Sequence, residues 1–220
     1  MRIGIYGGSF NPIHFGHFNV ARQAIEDLQL DKLIVIPANV SPFKAETETS
    51  DYVSPLPSRL ETVQAVFAGM DKVVVDDREL KRGGVSYTID TVREIIAEYT
   101  LSTSTSSLHL FFIIGEDSVE GLSRWKDIDE LKKLVTFKTY SRTKESSTEI
   151  RELFEQAKVT VNPDAKLLAT VRAGVVRKNG FCPCRLPKLP EFFCPCDEFK
   201  SQLRDPNYHG LCHCRLYLKP

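Results

Sequence analysis

The 220-residue sequence is marked first by what it lacks: its first 181 positions contain no cysteine, and it has only one tryptophan. It also lacks any run approaching the roughly 18 apolar residues of a membrane-spanning helix. The sequence does not open with a basic region followed by an apolar core, which is the pattern that directs export. We therefore expect a cytoplasmic protein with no membrane partner. The formal net charge is zero. Because the basic residues are scattered and no aromatic pattern accompanies them, we expect no nucleic-acid partner.

All six cysteines lie between Cys182 and Cys214, arranged as CPC, CPC and CHC. Since nothing indicates export to an oxidising compartment, clustered cysteines favour metal ligands or redox thiols over structural disulfides. Zinc sites usually combine two CxxC-type pairs into four ligands, whereas this pattern has three CxC pairs. An iron–sulfur cluster takes four thiolates, and the two remaining thiols could form a redox pair beside it. The pattern leaves a cluster, zinc and disulfides open.

Short apolar runs alternate with helix-like patterns over the first 155 residues or so. The apolar runs are RIGIYG, KLIVIPA, KVVVDD, LHLFFIIG and VTFKTY. The patterns that follow them predict helices at about 15–28, 59–67, 89–99, 117–134 and 148–154. This alternation predicts an α/β fold, a parallel sheet with helices on both faces, which binds its ligand at the carboxyl ends of its strands.

The alternation stops after the last of these helices, and a second unit begins. Asn162–Pro163 predicts the cap and first turn of a further helix, and Gly180 is placed to cap its C-terminus. From Phe181 on, frequent prolines and little periodic apolar sequence predict a small, mainly helical unit that a metal centre must stabilise. We therefore divide the chain into domains at 1–157 and 158–220.

The stretch GGSFNPIHFGH follows the first predicted strand. Gly7 and Gly8 allow backbone N–H groups to approach an anion, and the helix beginning near Phe15 directs the positive end of its dipole to the same space. His14 and His17 are three residues apart, so both imidazoles can reach one phosphate chain. The glycine spacing is that of neither a P-loop nor a GxGxxG motif. The stretch therefore predicts a nucleotide site.

This strand, glycine turn and HFGH resemble the nucleotidyltransferase superfamily. With PANVSPFK, SYTIDTV, FFIIGEDSVEGLSRW and SSTEIR in that order, residues 1–155 are similar to bacterial nicotinate-nucleotide adenylyltransferase. The resemblance implies a Rossmann-like nucleotidyltransferase sheet and adenylyl transfer from ATP, with Mg²⁺ on its phosphates, to nicotinate mononucleotide, giving deamido-NAD and pyrophosphate. In-line attack on a phosphate needs positioning and neutralisation of charge, and basic side chains suffice for both.

The same resemblance implies roles for individual residues. The phosphates would be held by basic side chains and by donors of the glycine turn, namely His14, His17, Lys44, Arg151, Gly7, Gly8, Ser9 and Phe10. Ser147 and Thr148 would add donors at a helix N-terminus. The adenosine end would contact Gly115 and Asp117, while the pyridine ring would stack on Trp125 near Thr88. Phe43 stands where many members of the family have histidine.

The thiol-rich stretches CPCR, CPC and CHCRLYL make residues 159–219 similar to the catalytic chain of ferredoxin:thioredoxin reductase. This resemblance implies a disulfide between Cys184 and Cys214, with His213 as its proton donor or thiolate stabiliser. It also implies a [4Fe–4S] cluster and two protein partners, a thioredoxin- or glutaredoxin-like substrate and a ferredoxin-like electron donor. The implied cluster ligands are Cys182, Cys194, Cys196 and Cys212.

Two alternatives to such a bifunctional protein stay open. One is a thiol reductase that carries a degenerate nucleotide-binding domain. The other is an adenylyltransferase whose cysteine tail is a structural metal-binding module. Because the first 181 residues contain no cysteine, a reductase module would find no disulfide substrate in its own N-terminal domain.

Overall fold

The computed structural model describes residues 1–43, 58–102, 108–141 and 146–220, so the predicted site residue Lys44 lies outside the described residues. The described residues fall into two compact units. We call one the sheet unit, which holds 1–9, 19–43, 70–102 and 108–141, and the other the thiol unit, which holds 10–18, 58–69 and 146–220. The domain boundary at 157/158 stays a prediction. None of the described helices is long and apolar enough to span a membrane.

The order of elements confirms most of the predicted alternation. The strands and helices are β1 (Arg2–Gly8), α1 (Phe15–Asp27), β2 (Lys32–Pro37), α2 (Arg59–Phe67), β3 (Val73–Val75), α3 (Arg78–Arg82), α4 (Thr88–Ser102), β4 (His109–Gly115), α5 (Ile128–Leu134), β5 (Thr136–Tyr140), α6 (Ser147–Gln156), β6 (Thr160–Val161), α7 (Ala165–Arg177), α8 (Asp197–Arg204), β7 (Gly210–Leu211) and β8 (Tyr217–Lys219). Three short 3₁₀ turns lie at Glu116–Ser118, Leu122–Arg124 and Pro190–Phe192.

The five strands of the sheet unit form one parallel sheet in the order β3-β2-β1-β4-β5, as the alternation predicts. Ile5, at the centre of β1, pairs in register with Ile34 on one side and Phe112 on the other. These strands are continuous apolar runs because a parallel sheet is covered by other elements. Gly4 shows how tight that cover is, since a Cβ there would lie 2.6 Å from a methyl carbon of the Leu30 side chain.

The predicted continuous helix from 117 to 134 is wrong. The chain instead makes two 3₁₀ turns and then α5, which begins at Ile128. Trp125 has an extended backbone (φ −73°, ψ 140°), and Asp127 has a left-handed one (φ 52°). Neither conformation continues a right-handed helix. The apolar spacing in this stretch therefore comes from separate turns that each place a side chain on the sheet core.

The C-terminal part of the thiol unit is less helical than the sequence predicts. Besides α7 and α8 it contains a three-stranded antiparallel sheet in the order β6-β8-β7. Its strands have only two or three residues. Strands this short show no alternation of apolar and polar residues, so the sequence pattern could not reveal them.

The start of α7 differs from the predicted cap at Asn162–Pro163. Asp164 is the N-cap, and its carboxylate oxygen Oδ1 accepts hydrogen bonds from the N–H groups of Lys166 and Leu167, each at 3.0 Å. Asn162 acts two residues earlier, because its side-chain oxygen accepts from the Asp164 N–H at 2.8 Å. Asparagine and aspartate both favour the N-cap position. Here Asp164, two residues after Asn162, is the residue whose side chain reaches the free N–H groups of the helix.

The end of α7 is also shifted by one residue from the predicted glycine cap. Asn179 takes the left-handed conformation (φ 56°), and Gly180 follows it. The Gly180 N–H donates to the carbonyl of Val175, and the Asn179 N–H donates to that of Val176, each at 3.0 Å. This is the double hydrogen-bond pattern of a Schellman motif. The Asn179 side-chain amide donates to the Ala65 carbonyl of α2 at 3.3 Å, which ties the two helices together.

Candidate functional site

The carboxyl ends of β1 and β4 are neighbours at the point where the strand order of the sheet unit reverses. Gly7 and Gly8 end β1, Ser9 follows them, and Gly115 ends β4. A parallel sheet binds its ligand at such a reversal. The predicted backbone donors therefore lie at the expected edge of the sheet.

The chain between β1 and α1, residues 10–17, lies within the thiol unit and is the stretch predicted to hold the phosphates. We call it the phosphate-binding turn. The ring centroids of His14 and His17 lie 3.9 Å apart. The His14 N–H donates to Nδ1 of His17 at 3.2 Å, and the His17 N–H donates to the His14 carbonyl at 3.0 Å. Because Nδ1 accepts, the proton of a neutral His17 lies on Nε2, where it can be donated to a phosphate oxygen. The ring of Phe10, which is buried, packs edge-on against His17 at 5.0 Å.

The N-terminus of α6 is capped by the first serine of the SSTEIR stretch. Ser146 accepts a hydrogen bond from the Glu149 N–H, and the Glu149 carboxylate accepts one from the Ser146 N–H, so the two residues form a capping box. Helix geometry leaves the N–H groups of Ser147 and Thr148 outside the intrahelical ladder. The positive end of the helix dipole therefore lies at these two residues, as the sequence predicts.

The side chains of α6 join this helix end to the phosphate-binding turn. The Ser147 hydroxyl donates to the Pro12 carbonyl at 2.9 Å. The Arg151 guanidinium donates to the Asn11 carbonyl and, at 3.3 Å, to the Thr148 hydroxyl. The structure thus brings His14, His17, Ser147, Thr148 and Arg151 into one unit of the chain. Their roles in binding stay predictions.

The remaining predicted ligand contacts belong to the sheet unit. Trp125 is half-buried, and its ring packs edge-to-face on Phe112, at 5.7 Å, and on Phe137, at 6.2 Å. It is therefore part of the sheet core at one edge. Its predicted stacking on a pyridine ring stays a prediction. Asp117 is exposed in the 3₁₀ turn directly after β4.

The segment after Trp125 lies against the start of α4, where Thr88 is the first residue. The Lys126 ammonium lies 4.6 Å from the ring centroid of Tyr87 and 3.1 Å from an Asp90 carboxylate oxygen. These two partners flank Thr88 in the sequence. These contacts are consistent with the predicted proximity of Thr88 and Trp125. Lys126, Tyr87 and Asp90, which make the contacts, had no predicted role of their own.

A link between two of the resemblance motifs was also missed at the sequence level. Asn39, in PANVSPFK, donates its backbone N–H to the Ser86 hydroxyl and its side-chain amide to the Gly84 carbonyl, each at 2.9 Å. Val40 and Val85 form a parallel bridge beside them. Asn39 follows the carboxyl end of β2, and this position is the signal that could have marked it as a candidate contact residue.

The six cysteines are free thiols, and five of them are buried in one hydrophobic core. We call this the thiol core. The segments that carry the first two CPC pairs lie antiparallel, because Phe181 and Phe193 form a bridge. The Cys182 N–H donates to the Phe192 carbonyl at 2.7 Å, and the Sγ atoms of Cys212 and Cys214 lie 3.6 Å apart. The other members of the core include Ile150, Phe154, Val171, Val175, Phe199, Leu216 and Tyr217.

The thiols of this core differ in acidity. Hydrogen bonds with the Cys196 and Cys214 thiols lower the pKa of Cys182, against the opposite effect of burial. A hydrogen bond with Cys214, helped by backbone N–H groups, lowers the pKa of Cys212. Burial raises the pKa of Cys184, although this thiol is the exposed one of the six. Negative charge is therefore favoured on Cys182 and Cys212, both of which the sequence predicts as ligands.

The predicted redox residues differ in their exposure. Cys184 is exposed, Cys214 is buried, and His213 between the last two thiols is exposed. Within the described ranges, no three or more His, Cys, Asp or Glu side chains form a group that could hold a metal ion. This finding gives no support to a zinc site or to the predicted cluster, since each needs four ligands that converge. Cluster, disulfide and proton-transfer roles of these residues stay predictions.

Comparison with known proteins gives a consistent result over most of the chain. The cytidylyltransferase-like family model matches residues 5–170, further along the chain than the resemblance over 1–155 predicts. A probable nicotinate-nucleotide adenylyltransferase of Aliarcobacter butzleri is 35% identical over 170 residues, which are 77% of this chain and 87% of the relative. Another from Listeria monocytogenes serotype 4b is 36% identical over 177 residues, covering 71% of this chain and 87% of the relative.

A solved structure supports the fold. A Vibrio parahaemolyticus protein designated a nicotinate-nucleotide adenylyltransferase superposes with a TM-score of 0.53 at 21% identity, covering 70% of this chain and 87% of that one. At this identity the likeness bears on the fold alone. The matched family region ends at residue 170, so it stops before the first cysteine.

Proposed function

The chain belongs to the nicotinate-nucleotide adenylyltransferase family, within the cytidylyltransferase-like proteins, and we propose that it transfers the adenylyl group of ATP to nicotinate mononucleotide. The products are deamido-NAD and pyrophosphate. The observation that carries this proposal is the joining of the HFGH stretch to the N-terminus of α6 by the Ser147 and Arg151 hydrogen bonds. Two stretches far apart in sequence then present phosphate-binding groups together.

The reaction is an in-line attack of the phosphate of nicotinate mononucleotide on the α-phosphate of ATP. The bond that forms joins the two phosphates, and the bond that breaks releases pyrophosphate. Such a step needs no covalent catalyst, because alignment of the two phosphates and neutralisation of their charge supply most of the acceleration. Mg²⁺ enters with ATP and supplies part of that neutralisation.

The described side chains suit this task. His17 can donate from Nε2 because its Nδ1 is occupied by the His14 N–H. His14 is buried, so its orientation is fixed by the surrounding turn. Arg151 and the N–H groups of Ser147 and Thr148 add positive charge and donors. At the sheet edge, Trp125 and the turn that contains Asp117 are proposed to receive the pyridine ring and the adenosine.

Pyrophosphate release from ATP and nicotinate mononucleotide tests this function. We expect His17→Ala to lower kcat by about 10²–10³-fold, by analogy with the loss of one transition-state hydrogen-bond donor. His109→Ala is the matched control, because this histidine is exposed at the amino end of β4. Absence of pyrophosphate release by the unaltered protein would contradict the proposal. An equal loss in both variants would show that the effect does not come from the site.

We propose as a second function that the thiol core holds a [4Fe–4S] cluster and reduces a disulfide of a thioredoxin- or glutaredoxin-like protein. The supporting observations are the burial of all four predicted ligands in one core and the lowered pKa of two of them, Cys182 and Cys212. A bound cluster would supply single electrons from a ferredoxin-like donor. Cys184 is the thiol that an external disulfide can reach, because it is the exposed one.

Iron content tests the second function. We expect protein purified without oxygen to be brown and to hold about four irons, as a cluster with four cysteine ligands requires. Cys182→Ser should lose iron, whereas Cys184→Ser should keep it because Cys184 is not a predicted ligand. Zinc in place of iron would favour the structural metal-binding tail, and no metal would contradict both. Iron with no adenylyl transfer would favour the reductase with a degenerate nucleotide domain.

A further inference from the structure

We propose that Phe181 and Phe193, the residues directly before Cys182 and Cys194, are positioning residues for the phosphate-binding turn. Through them the segments that carry Cys182 and Cys194 fix the histidines that act in adenylyl transfer. The inference rests on the adenylyl transfer proposed above. It gives the cysteine-bearing segments a role in adenylyl transfer, which their sequence does not suggest.

The first observation is an aromatic cluster between these segments and the beginning of α1. The Phe15 ring lies edge-to-face on Phe181, with centroids 6.4 Å apart, and on Phe193, at 6.1 Å. The Phe18 ring is nearly perpendicular to Phe181, at 6.1 Å. Phe181 and Phe193 pack on each other at 5.2 Å. All four rings lie within the thiol unit, and their geometry is the one that aromatic pairs prefer.

The second observation is the arrangement of these rings relative to the histidines. Phe15 directly follows His14, and Phe18 directly follows His17. The two phenylalanines therefore form a pair with the same three-residue spacing as the two histidines. One pair forms the phosphate-binding group, with ring centroids 3.9 Å apart. The other pair is anchored on the cysteine-bearing segments. Any movement of the anchored rings therefore moves the backbone that carries both imidazoles.

The third observation is that the anchor is rigid. Phe181 and Phe193 are both nearly fully buried, with exposed fractions of 2% and 4%. Their backbones form an antiparallel bridge, and the Cys194 N–H donates to the Gly180 carbonyl at 2.9 Å. A Cβ on Gly180 would lie 2.8 Å from the Phe193 ring, so the glycine is needed for this packing.

The turn is thus held from two sides within one unit. The polar contacts of α6 hold the carbonyls of Asn11 and Pro12. The same helix also places Ile150 and Phe154 in the thiol core. The aromatic cluster holds the other end of the turn. A displacement of about 1 Å in such a site can lower a rate by about 100-fold, so both supports matter for catalysis.

The experiment measures kcat and KM for ATP and nicotinate mononucleotide in Phe181→Leu and Phe193→Leu of the full chain. We expect kcat to fall about 10- to 100-fold, with KM changing less, because misplaced imidazoles weaken the transition state more than the bound substrates. Phe192→Leu is the matched control. Phe192 directly precedes Phe193 and packs on the thiol core, but its ring faces the Arg185 guanidinium at 5.6 Å, and we expect kcat to stay within twofold.

A double-mutant cycle separates positioning from a general structural role. Phe15→Leu combined with Phe181→Leu should lose less activity than the product of the two single losses, because both remove the same contact. Phe15→Leu combined with Phe192→Leu should give the product. If Phe181→Leu does not fold, the comparison moves to position 193. Phe193→Met keeps an apolar side chain that can contact ring edges, and it should retain more activity than Phe193→Leu.

A second measurement keeps this inference separate from the proposed function. The chain has five histidines, so their imidazole signals can be followed by NMR in each variant. We expect the His14 and His17 signals to shift in Phe181→Leu and to stay unchanged in Phe192→Leu. Unchanged signals and unchanged kcat in the Phe181 and Phe193 variants would overturn the inference, while the adenylyl transfer of the unaltered protein would stand. If the unaltered protein releases no pyrophosphate, the NMR signals of His14 and His17 alone decide whether Phe181 and Phe193 position the turn.

Discussion

The two units of this chain are built around cores of different chemistry. The core of the sheet unit consists mainly of aliphatic side chains that parallel strands present at regular intervals, such as Ile3, Ile5 and Ile34. The thiol core contains five cysteines together with aromatic rings such as Phe154, Phe199 and Tyr217. Aliphatic packing is non-directional and depends on area. Aromatic rings prefer specific mutual geometries, so the second core depends more on the position of each residue.

The largest expected effect tests the packing of the sheet core. Ile5 is fully buried on the central strand, and Ile5→Ala should lower the free energy of unfolding by about 2–5 kcal/mol through lost burial and a cavity. Urea denaturation measures the change. Val74→Ala is the control, because Val74 is 44% exposed on the edge strand β3, and it should cost far less. Equal losses would mean that the sheet centre is not the stabilising core.

The next effect tests the dependence of the thiol unit on position. Gly180 combines a positive φ of 89° with neighbours 2.8 Å from its missing Cβ, so Gly180→Ala should cost about 2–4 kcal/mol from overpacking and strain together. Gly84 in the sheet unit has a positive φ of 65° and open space around it. Gly84→Ala should therefore show the strain alone, about 1 kcal/mol. Denaturation of the two variants gives the difference, and equal values would contradict the packing argument.

A smaller effect concerns the cap of α7. Asp164→Ala removes the acceptor of two backbone N–H groups and should cost about 1 kcal/mol of unfolding free energy. Asp164→Asn keeps a side-chain oxygen at the same position and should lose only a few tenths of the unfolding free energy that Asp164→Ala loses. If the alanine variant is as stable as the parent, Asn162 has taken over the cap, as the sequence pattern first predicts.

The smallest effect is electrostatic and belongs to the sheet unit. Burial tends to raise the pKa of Asp76, but hydrogen bonds from the side chain and backbone of Arg78 outweigh it and lower the pKa. A lowered pKa in the folded state adds stability above the unfolded pKa, and this stability is lost as pH falls through the folded value. Asp76→Asn should therefore cost about 0.5–1 kcal/mol near pH 7, since the pair is partly exposed.

The pH dependence supplies the check on this last prediction. Thermal unfolding of parent and Asp76→Asn should differ near pH 7 and converge as the pH falls below about 4, where the carboxylate becomes protonated. A difference that stays constant down to that pH would show that the loss comes from packing and not from the charge of Asp76.

The sheet unit was largely predictable, and the reasons lie in particular residues. The apolar runs of β1, β2 and β4 mark strands because parallel strands are buried on both faces, and Gly7, Gly8 and Gly115 mark their carboxyl ends. The failure between Asp117 and Leu134 is instructive. Trp125 and Asp127 break the helix through backbone conformations that apolar spacing does not record.

The thiol unit was predictable only in its composition. The number and spacing of the cysteines predict a shared metal centre, which stays a prediction. The structure shows instead a hydrophobic core in which five of the thiols are buried. The sequence did not indicate that Phe15 and Phe18 pack on Phe181 and Phe193, because residues more than 160 positions apart give no periodic signal. It likewise missed the strands β6, β7 and β8, which exist through their pairing with each other.

By itself the sequence determined the strand and helix alternation and the family to which the chain belongs, because both depend on residues close together or on motifs in a fixed order. It also predicts that residues 10–17 form a phosphate-binding turn. Only the tertiary structure decided which distant residues hold that turn. The α6 hydrogen bonds to the carbonyls of Asn11 and Pro12 and the aromatic cluster before Cys182 and Cys194 are long-range contacts. Such contacts depend on how the chain packs, and local sequence carries no record of that packing.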